Sequence, residues 1–132
     1  MMHDRSLIGG CSLAFLAVLL LLPIQGRSQD VPEGVSVVVI SEVEVNSPGI
    51  EKVLLMKVTM QPGKAWEDVP LDNLEFCHLT EGSYTIVVHD LEITNTYTVG
   101  ARWFNRKGWT NSLYNKGDVP AVQWVYQIVE KK

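Results

Sequence analysis

The residues from position 29 onward predict an all-β domain of antiparallel strands, closed as a sandwich or a barrel. Apolar and polar residues alternate with a period of two in several short runs. Glycine, proline, asparagine and aspartate separate these runs at the spacing typical of such folds. No segment shows a sustained helical period. Because about 100 residues supply one hydrophobic core, we expect a single domain over residues 29–132.

Six runs are predicted as strands, and alternation assigns their faces. In the first run, Val43 and Val45 are expected on a dry face, opposite Glu42 and Glu44. In the second run, Leu54, Met56, Val58 and Met60 share one side, and in the last run Val122, Trp124, Tyr126 and Ile128 share the predicted core face. The six runs are Val35–Val45, Val53–Met60, Glu75–Leu79, Tyr84–Val88, Leu91–Val99 and Ala121–Val129.

The first 28 residues are predicted to be a secretory signal peptide. Leu7–Ile24 is a stretch of 18 residues without charge, preceded by Arg5 and followed by the small residues Gly26 and Ser28. Cleavage after Gly26 or Ser28 would give an exported protein, periplasmic or secreted. The alternative is an uncleaved membrane anchor, because 18 uncharged residues just reach the length of a membrane span.

The charge balance excludes several classes of partner. The chain has 11 Lys and Arg against 15 Asp and Glu, so a nucleic-acid partner is not expected. After cleavage no stable membrane partner is expected either. Removal of Cys11 with the signal leaves Cys77 as the one cysteine, so stability must come from core packing and not from an internal disulfide.

Two glycine-framed segments carry a family resemblance. In the first segment, Gly63, Glu75 and Gly82 have the spacing of the first motif of the cupin family, which are small jelly-roll barrels of the cupin-2 kind. The two histidine places of that motif are Val69 and Leu71 here. The resemblance implies a cupin-like jelly-roll barrel over roughly residues 53–128.

The second segment resembles the second cupin motif. Gly100, Gly108 and Asn115 fall into register, whereas Arg106 stands in the proline place and Asn111 in the histidine place. Family metal sites use three histidines and one glutamate. The departures therefore imply a degenerate site with neither metal nor other cofactor.

The two histidines nearest the motifs are not expected to replace those ligands. Strand parity places Glu75, Cys77 and Leu79 on one face and His78 on the other. His89 sits beside a turn and is interpreted as a solvated loop histidine.

The candidate pocket combines motif positions with nearby aromatic residues. Glu75 is the candidate catalytic residue, because burial would raise its pKa toward a value useful for proton transfer. The alternative is a structural carboxylate that accepts hydrogen bonds from Asn111 or a strand neighbour. Arg102, Arg106 and Lys107 either attract an anionic ligand or are solvated turn charges. The predicted pocket residues are Trp66, Val69, Leu71, Glu75, Cys77, Trp109 and Asn111.

Three hypotheses for the function follow. The leading one is an exported, noncatalytic module that binds a small molecule or supports assembly. If the chain forms a homodimer, the outward face of Phe76, His78 and Thr80 is the surface that a partner sheet would cover. The second is a metal-independent isomerase or lyase acting on a sugar-like or organic-acid substrate, with Glu75 as general base and Asn111 or a tyrosine as orienting donor. The third is a metalloprotein with atypical ligands.

Overall fold

The structure is a computed structural model that describes residues 30–132. These residues form nine β-strands and one short 3-10 helix. The predicted signal segment, residues 1–28, lies outside these described residues. The strands are β1 (Val35–Ser47), β2 (Ile50–Met60), β3 (Ala65–Pro70), β4 (Leu74–Glu81), β5 (Tyr84–Val88), β6 (Ile93–Tyr97), β7 (Arg102–Asn105), β8 (Thr110–Tyr114) and β9 (Ala121–Glu130), with the 3-10 helix at His89–Leu91. Within residues 30–132, no helix has the length and apolar character needed to cross a membrane.

The strands form two antiparallel sheets that pack face to face. The five-stranded sheet has the order β1-β2-β9-β4-β7, and the four-stranded sheet has the order β3-β8-β5-β6. Leu79 and Met60 of the first sheet pack with Ile86 and Leu113 of the second in one buried cluster. This arrangement is the all-β jelly roll that the alternating runs predict.

The inner face of β2 confirms the predicted parity. Met56, Val58 and Met60 are buried, and Leu54 is half-buried on the same side. Their partners in β9 continue the row, because Met56 lies opposite Val125. This central pair of strands therefore forms the floor of the core.

The predicted dry face of β1 is wrong. A β-bulge between Val39 and Ser41 shifts the register, so that Glu42 lies opposite Leu54 on the inner side and Val43 lies opposite Val53 on the outer side. Val43 is consequently 55% exposed. β1 is also the edge strand of its sheet. Beyond the bulge, most of its side chains on both faces are exposed to solvent.

The core face predicted for β9 is wrong for Trp124 and Tyr126, although Val122 is buried. Trp124 and Tyr126 do share a face, but it is the outer one, and Tyr126 is 47% exposed. The inner face carries Ala121, Gln123 and Val125, all buried. Because β9 is a central strand with apolar residues on both sides, periodicity alone could not decide which side faces the core.

Three strands escaped the sequence analysis, and one predicted strand is shorter. The sequences of β3, β7 and β8 are short and rich in polar residues, and β3 is interrupted by a bulge between Trp66 and Val69. The predicted run Leu91–Val99 keeps only β6, because His89–Leu91 forms the 3-10 helix. The apolar residues Leu91, Ile93 and Val99, which alternate with polar residues in this run, are exposed.

Gly82 lies at a close approach between two turns. Its φ is +73°, and a Cβ at this position would lie 2.5 Å from the carbonyl oxygen of Pro120 and 2.8 Å from the Cα of Ala121. Gly63 has a similar φ of +76°, but a Cβ there would meet nothing within 4 Å. The two motif glycines therefore serve different needs: Gly63 permits a backbone conformation, and Gly82 also permits a contact.

Candidate functional site

A polar cluster lies on the inner side of the five-stranded sheet, around Glu75. Strand β4 runs between β7 and β9, so Glu75 lies directly opposite Asn105 on one side and Gln127 on the other. Gln127 Nε2 donates a hydrogen bond to Glu75 Oε2 at 2.8 Å, and Asn105 Nδ2 donates to Glu75 Oε1 at 3.3 Å. Both carboxyl oxygens are thus hydrogen-bonded to neutral amides.

The cluster extends across the core to the opposite sheet. Asn111 of β8 is 1% exposed, and its Nδ2 donates to Asn105 Oδ1 at 3.0 Å. Its own Oδ1 is buried without a hydrogen-bond partner among the described residues. The predicted contact between Asn111 and Glu75 is therefore indirect and runs through Asn105.

Burial shifts the pKa values of the ionisable groups in the cluster in the direction of their neutral forms. Burial raises the pKa of Glu75, and the hydrogen bonds from Gln127 and Asn105 oppose this rise without cancelling it. Burial also raises the pKa of Cys77 well above its ordinary value, and the nearby Glu75 charge adds to the rise. Cys77 is therefore a buried thiol, which contacts Asn105 Nδ2 at 3.6 Å, and not an activated nucleophile.

Three more buried polar atoms lack a partner among residues 30–132. They are Tyr84 Oη, Trp103 Nε1 and Gln123 Oε1. Trp103 lies opposite Cys77 in the β4–β7 pair. Burial followed by the Cys77 charge raises the pKa of Tyr84, and an interaction with the Gln123 side chain opposes this rise. These atoms therefore belong to the same interior as the Glu75 cluster.

The structure brings only some of the predicted pocket residues into polar contact. Glu75 and Cys77 both contact Asn105, and Asn111 joins them through the same residue. The remaining four belong to the apolar core: Val69 and Leu71 are buried in it, and Trp66 and Trp109 pack against it.

The sequence did not point to Asn105, Gln127 or Gln123 as members of this interior. Gln123 and Gln127 were assigned to the polar side of β9, and Asn105 lies in a strand too short for a periodic signal. The parity of β9 is the signal that could have found the two glutamines. Gln127 lies opposite Glu75 and Gln123 lies opposite Leu79, so both amides are on the same inner face as Glu75.

The two histidines lie away from the cluster. His78 is on the outer face of the five-stranded sheet, opposite Arg102 and Trp124, as strand parity predicts. His89 Nε2 lies 2.8 Å from Ser112 Oγ and 3.6 Å from Asp68 Oδ1 on the outer side of the other sheet. The interpretation of His89 as a solvated loop histidine is thus wrong in part, because its ring is within hydrogen-bond distance of Ser112 on β8.

Comparison with known proteins identifies the fold. No family model matches the chain, and neither does any curated protein. Among solved structures, it is similar to the Cupin_2 domain of an XRE family transcriptional regulator from Enterobacter cloacae, with a TM-score of 0.61 and 11% identity over 76% of this chain and 100% of that one. It is also similar to KdgF from Halomonas sp., with a TM-score of 0.58 and 10% identity over 75% of this chain and 84% of that one. An oxalate oxidase is similar with a TM-score of 0.56 and 17% identity over 78% of this chain and 56% of that one.

The chain therefore has the cupin fold. Identities of 10–17% show the fold alone, and these neighbours include an oxidase and a domain of a transcriptional regulator. The resemblance predicted from the glycine-framed segments is confirmed at this level.

The donor set at the Glu75 cluster does not fit a tightly bound transition metal. Val69 and Leu71 offer no lone pairs, and the one carboxylate is already hydrogen-bonded to two amides. Among residues 30–132, no three His, Cys, Asp or Glu side chains are grouped so that they could hold an ion. The degenerate motif thus leaves a polar interior of amides, a carboxyl group and a thiol.

Proposed function

We propose that this chain is an exported, noncatalytic module whose barrel interior binds a small, uncharged polar ligand. The observation that supports this most directly is the group of four buried polar atoms without partners, Tyr84 Oη, Trp103 Nε1, Asn111 Oδ1 and Gln123 Oε1. Each such atom costs about 1–3 kcal/mol when it is left unpaired. A ligand that satisfied them would recover that free energy on binding.

The chemistry of these atoms defines the ligand class. The indole N–H of Trp103 donates, the amide oxygens of Asn111 and Gln123 accept, and the Tyr84 hydroxyl does both. Hydroxyl groups of a sugar or polyol match this mixture, because each donates and accepts. No basic side chain hydrogen-bonds or ion-pairs with the cluster within residues 30–132, so an anionic ligand would lack a counter-charge there.

Two features favour binding over catalysis. The Glu75 carboxyl is held by Gln127 and Asn105, and no histidine, lysine or second acid contacts it in the described part of the chain. A general base needs a proton relay or a positioned substrate, and a lone acid gives weak support for one. The thiol form of Cys77 likewise argues against covalent catalysis.

One observation favours a metal-independent isomerase or lyase as the second candidate. Burial raises the pKa of Glu75, as expected for a carboxyl that exchanges a proton with a sugar-like or organic-acid substrate. Glu75→Gln separates the two functions, because a binding module keeps its affinity for ligand whereas an enzyme loses turnover.

A thermal-shift screen of the purified protein tests the proposal. Neutral sugars and polyols should raise the melting temperature, while aliphatic organic acids and divalent metals should not. Tyr84→Phe should fold normally, because the hydroxyl that it removes interacts with Gln123 but makes no hydrogen bond of ordinary distance and angle, and yet lose most of the ligand-induced shift. Tyr126→Phe, at an exposed tyrosine, is the matched control. A shift caused by a metal ion alone would overturn the proposal.

Export is part of the same proposal and has its own test. Secretion or periplasmic release should yield a chain that begins after Gly26 or Ser28, which intact-mass measurement resolves. A membrane-bound product of full length would instead support the anchor. The predicted homodimer is tested separately by light scattering of the purified protein.

A further inference from the structure

The outer face of the five-stranded sheet carries an open groove. Its volume is about 510 Å³, and Cys77 and Trp103 contribute to its lining although strand parity places their side chains on the inner side of β4 and β7. The outward-facing residues that line it are Phe76, His78, Arg102, Phe104 and Tyr126. These five residues are called the aromatic groove below. Its shape follows from strand register, because Phe76 lies opposite both Phe104 and Tyr126, and His78 lies opposite Arg102.

The groove leaves a large aromatic area in contact with solvent. Phe76 is 49% exposed, Phe104 51% and Tyr126 47%. Three adjacent half-exposed rings form an apolar patch of the kind that marks binding sites on soluble proteins. Their position side by side on three neighbouring strands makes one continuous row of rings.

The polar end of the groove is basic and unpaired. Within residues 30–132, neither Arg102 nor His78 makes a side-chain hydrogen bond or an ion pair. The chain as a whole has more acidic than basic residues, 15 against 11. No carboxylate lines the groove. The groove thus offers a guanidinium with all of its donors available to a ligand.

The spacing between rings and cation matches one kind of molecule. Arg102 and Phe104 are two residues apart on β7, as are Phe76 and His78 on β4, and that step is about 6.6–6.8 Å in a strand. We propose that the aromatic groove binds a planar aromatic carboxylate. Its ring packs over Phe76, between Phe104 and Tyr126, and its carboxylate reaches Arg102 and His78.

A second copy of the chain fits this surface less well. An isologous contact would place one groove against another, with two Arg102 and two His78 side chains in the interface and no carboxylate from either groove to pair with them. A small anion meets the same rings and supplies the missing charge. The proposal does not depend on the interior ligand, because the groove lies on the opposite face of β4 from Glu75.

The test uses two probes of the same shape, 2-naphthoate and the neutral 2-naphthalenemethanol, with binding followed by isothermal titration calorimetry. The wild-type full chain should bind the carboxylate about 10-fold more tightly than the alcohol, and the difference should shrink as salt concentration rises. Arg102→Gln should remove this preference while the affinity for the alcohol stays the same. Arg106→Gln, at a turn arginine that does not line the groove, is the matched control.

Further variants separate the competing outcomes. Phe104→Ala should weaken both probes, and Tyr84→Phe in the barrel interior should weaken neither. Equal affinities for the two probes, or no binding of either, would overturn the proposal. So would a dimer in light scattering that Tyr126→Lys converts to a monomer, because a second copy would then occupy the groove.

Discussion

Asn111 and Asn105 join the two sheets inside the barrel through a hydrogen bond of 3.0 Å, from Nδ2 of Asn111 to Oδ1 of Asn105. This bond fixes the orientation of the Asn105 amide, whose nitrogen then points to Glu75 and to the Cys77 sulfur. One amide group thus serves three neighbours at a position that is 6% exposed. The interior is organised by this residue more than by the carboxyl group that marks the motif.

Asn105→Asp should destabilise the protein in a pH-dependent way. The new carboxylate replaces the donor that lies 3.3 Å from Glu75 Oε1, so two acids would face each other in a buried site. We expect a loss of about 3 kcal/mol at pH 7, most of it recovered at about pH 4 as the acids take up protons. Urea unfolding at both pH values measures this, with exposed Asn46→Asp as control. An equal loss at both pH values would contradict the explanation.

Glu75→Gln should change how stability depends on pH. Because the pKa of Glu75 is raised in the folded state, its contribution to stability is fully present below its unfolded pKa and is lost as pH rises through the folded pKa. The variant has no such loss. The wild type should therefore lose free energy of unfolding relative to Glu75→Gln from about pH 4 upward.

Urea unfolding of both proteins at several pH values follows that difference. Other carboxylates titrate in both proteins and cancel in the comparison, so the change reports on Glu75. A gap that stays constant with pH would show that the folded state does not perturb this carboxyl group.

Gly82→Ala should be much more damaging than Gly63→Ala. Both positions have a positive φ, which costs an alanine about 1 kcal/mol. At Gly82 the new methyl group would also meet backbone atoms of Pro120 and Ala121, which cannot rotate away, and overpacking adds about 1–3 kcal/mol. Thermal unfolding should rank the variants in that order, and similar melting temperatures for the two would refute the close approach.

Asn115→Ala should destabilise the fold strongly although this residue lies outside the polar cluster. Its Nδ2 donates to the carbonyl oxygens of Met60 and Val119, each at 2.9 Å, and its Oδ1 accepts from the Gly117 N–H at 3.0 Å. Loss of these bonds at a 1% exposed position should cost about 3 kcal/mol. Chemical denaturation measures this loss, and Asn46→Ala at an exposed position should change stability by less than about 0.5 kcal/mol.

The sequence predicts which residues of a strand share a face. It does not predict which of the two faces of β9 packs against the core. Alternation correctly separated Glu75 and Cys77 from Phe76 and His78, because β4 has one polar-lined inner face and one outer face. In β9 the outer face carries large aromatic residues, and alternation assigned these to the core. Hydrophobicity alone treats an exposed groove and a buried core alike.

The candidate site was predictable where the motif spacing named it. Glu75 and Asn111 hold motif positions, and both lie in the cluster. Asn105 and Gln127 come from strands at distant points of the chain and meet Glu75 only through β-sheet register. Such register depends on bulges, and those of this chain leave no clear trace in the sequence.

The bulge at Ile40 has a consequence for solubility. Beyond it, the edge strand β1 carries Glu42, which is ion-paired to Lys52 at 3.4 Å, and Glu44 on one face, with Val43 exposed on the other. An unpaired strand edge of this length invites another chain to add to it, and kinks and like charges are what prevent such fibril-type growth. Replacement of these two glutamates by uncharged residues should therefore promote aggregation at this edge.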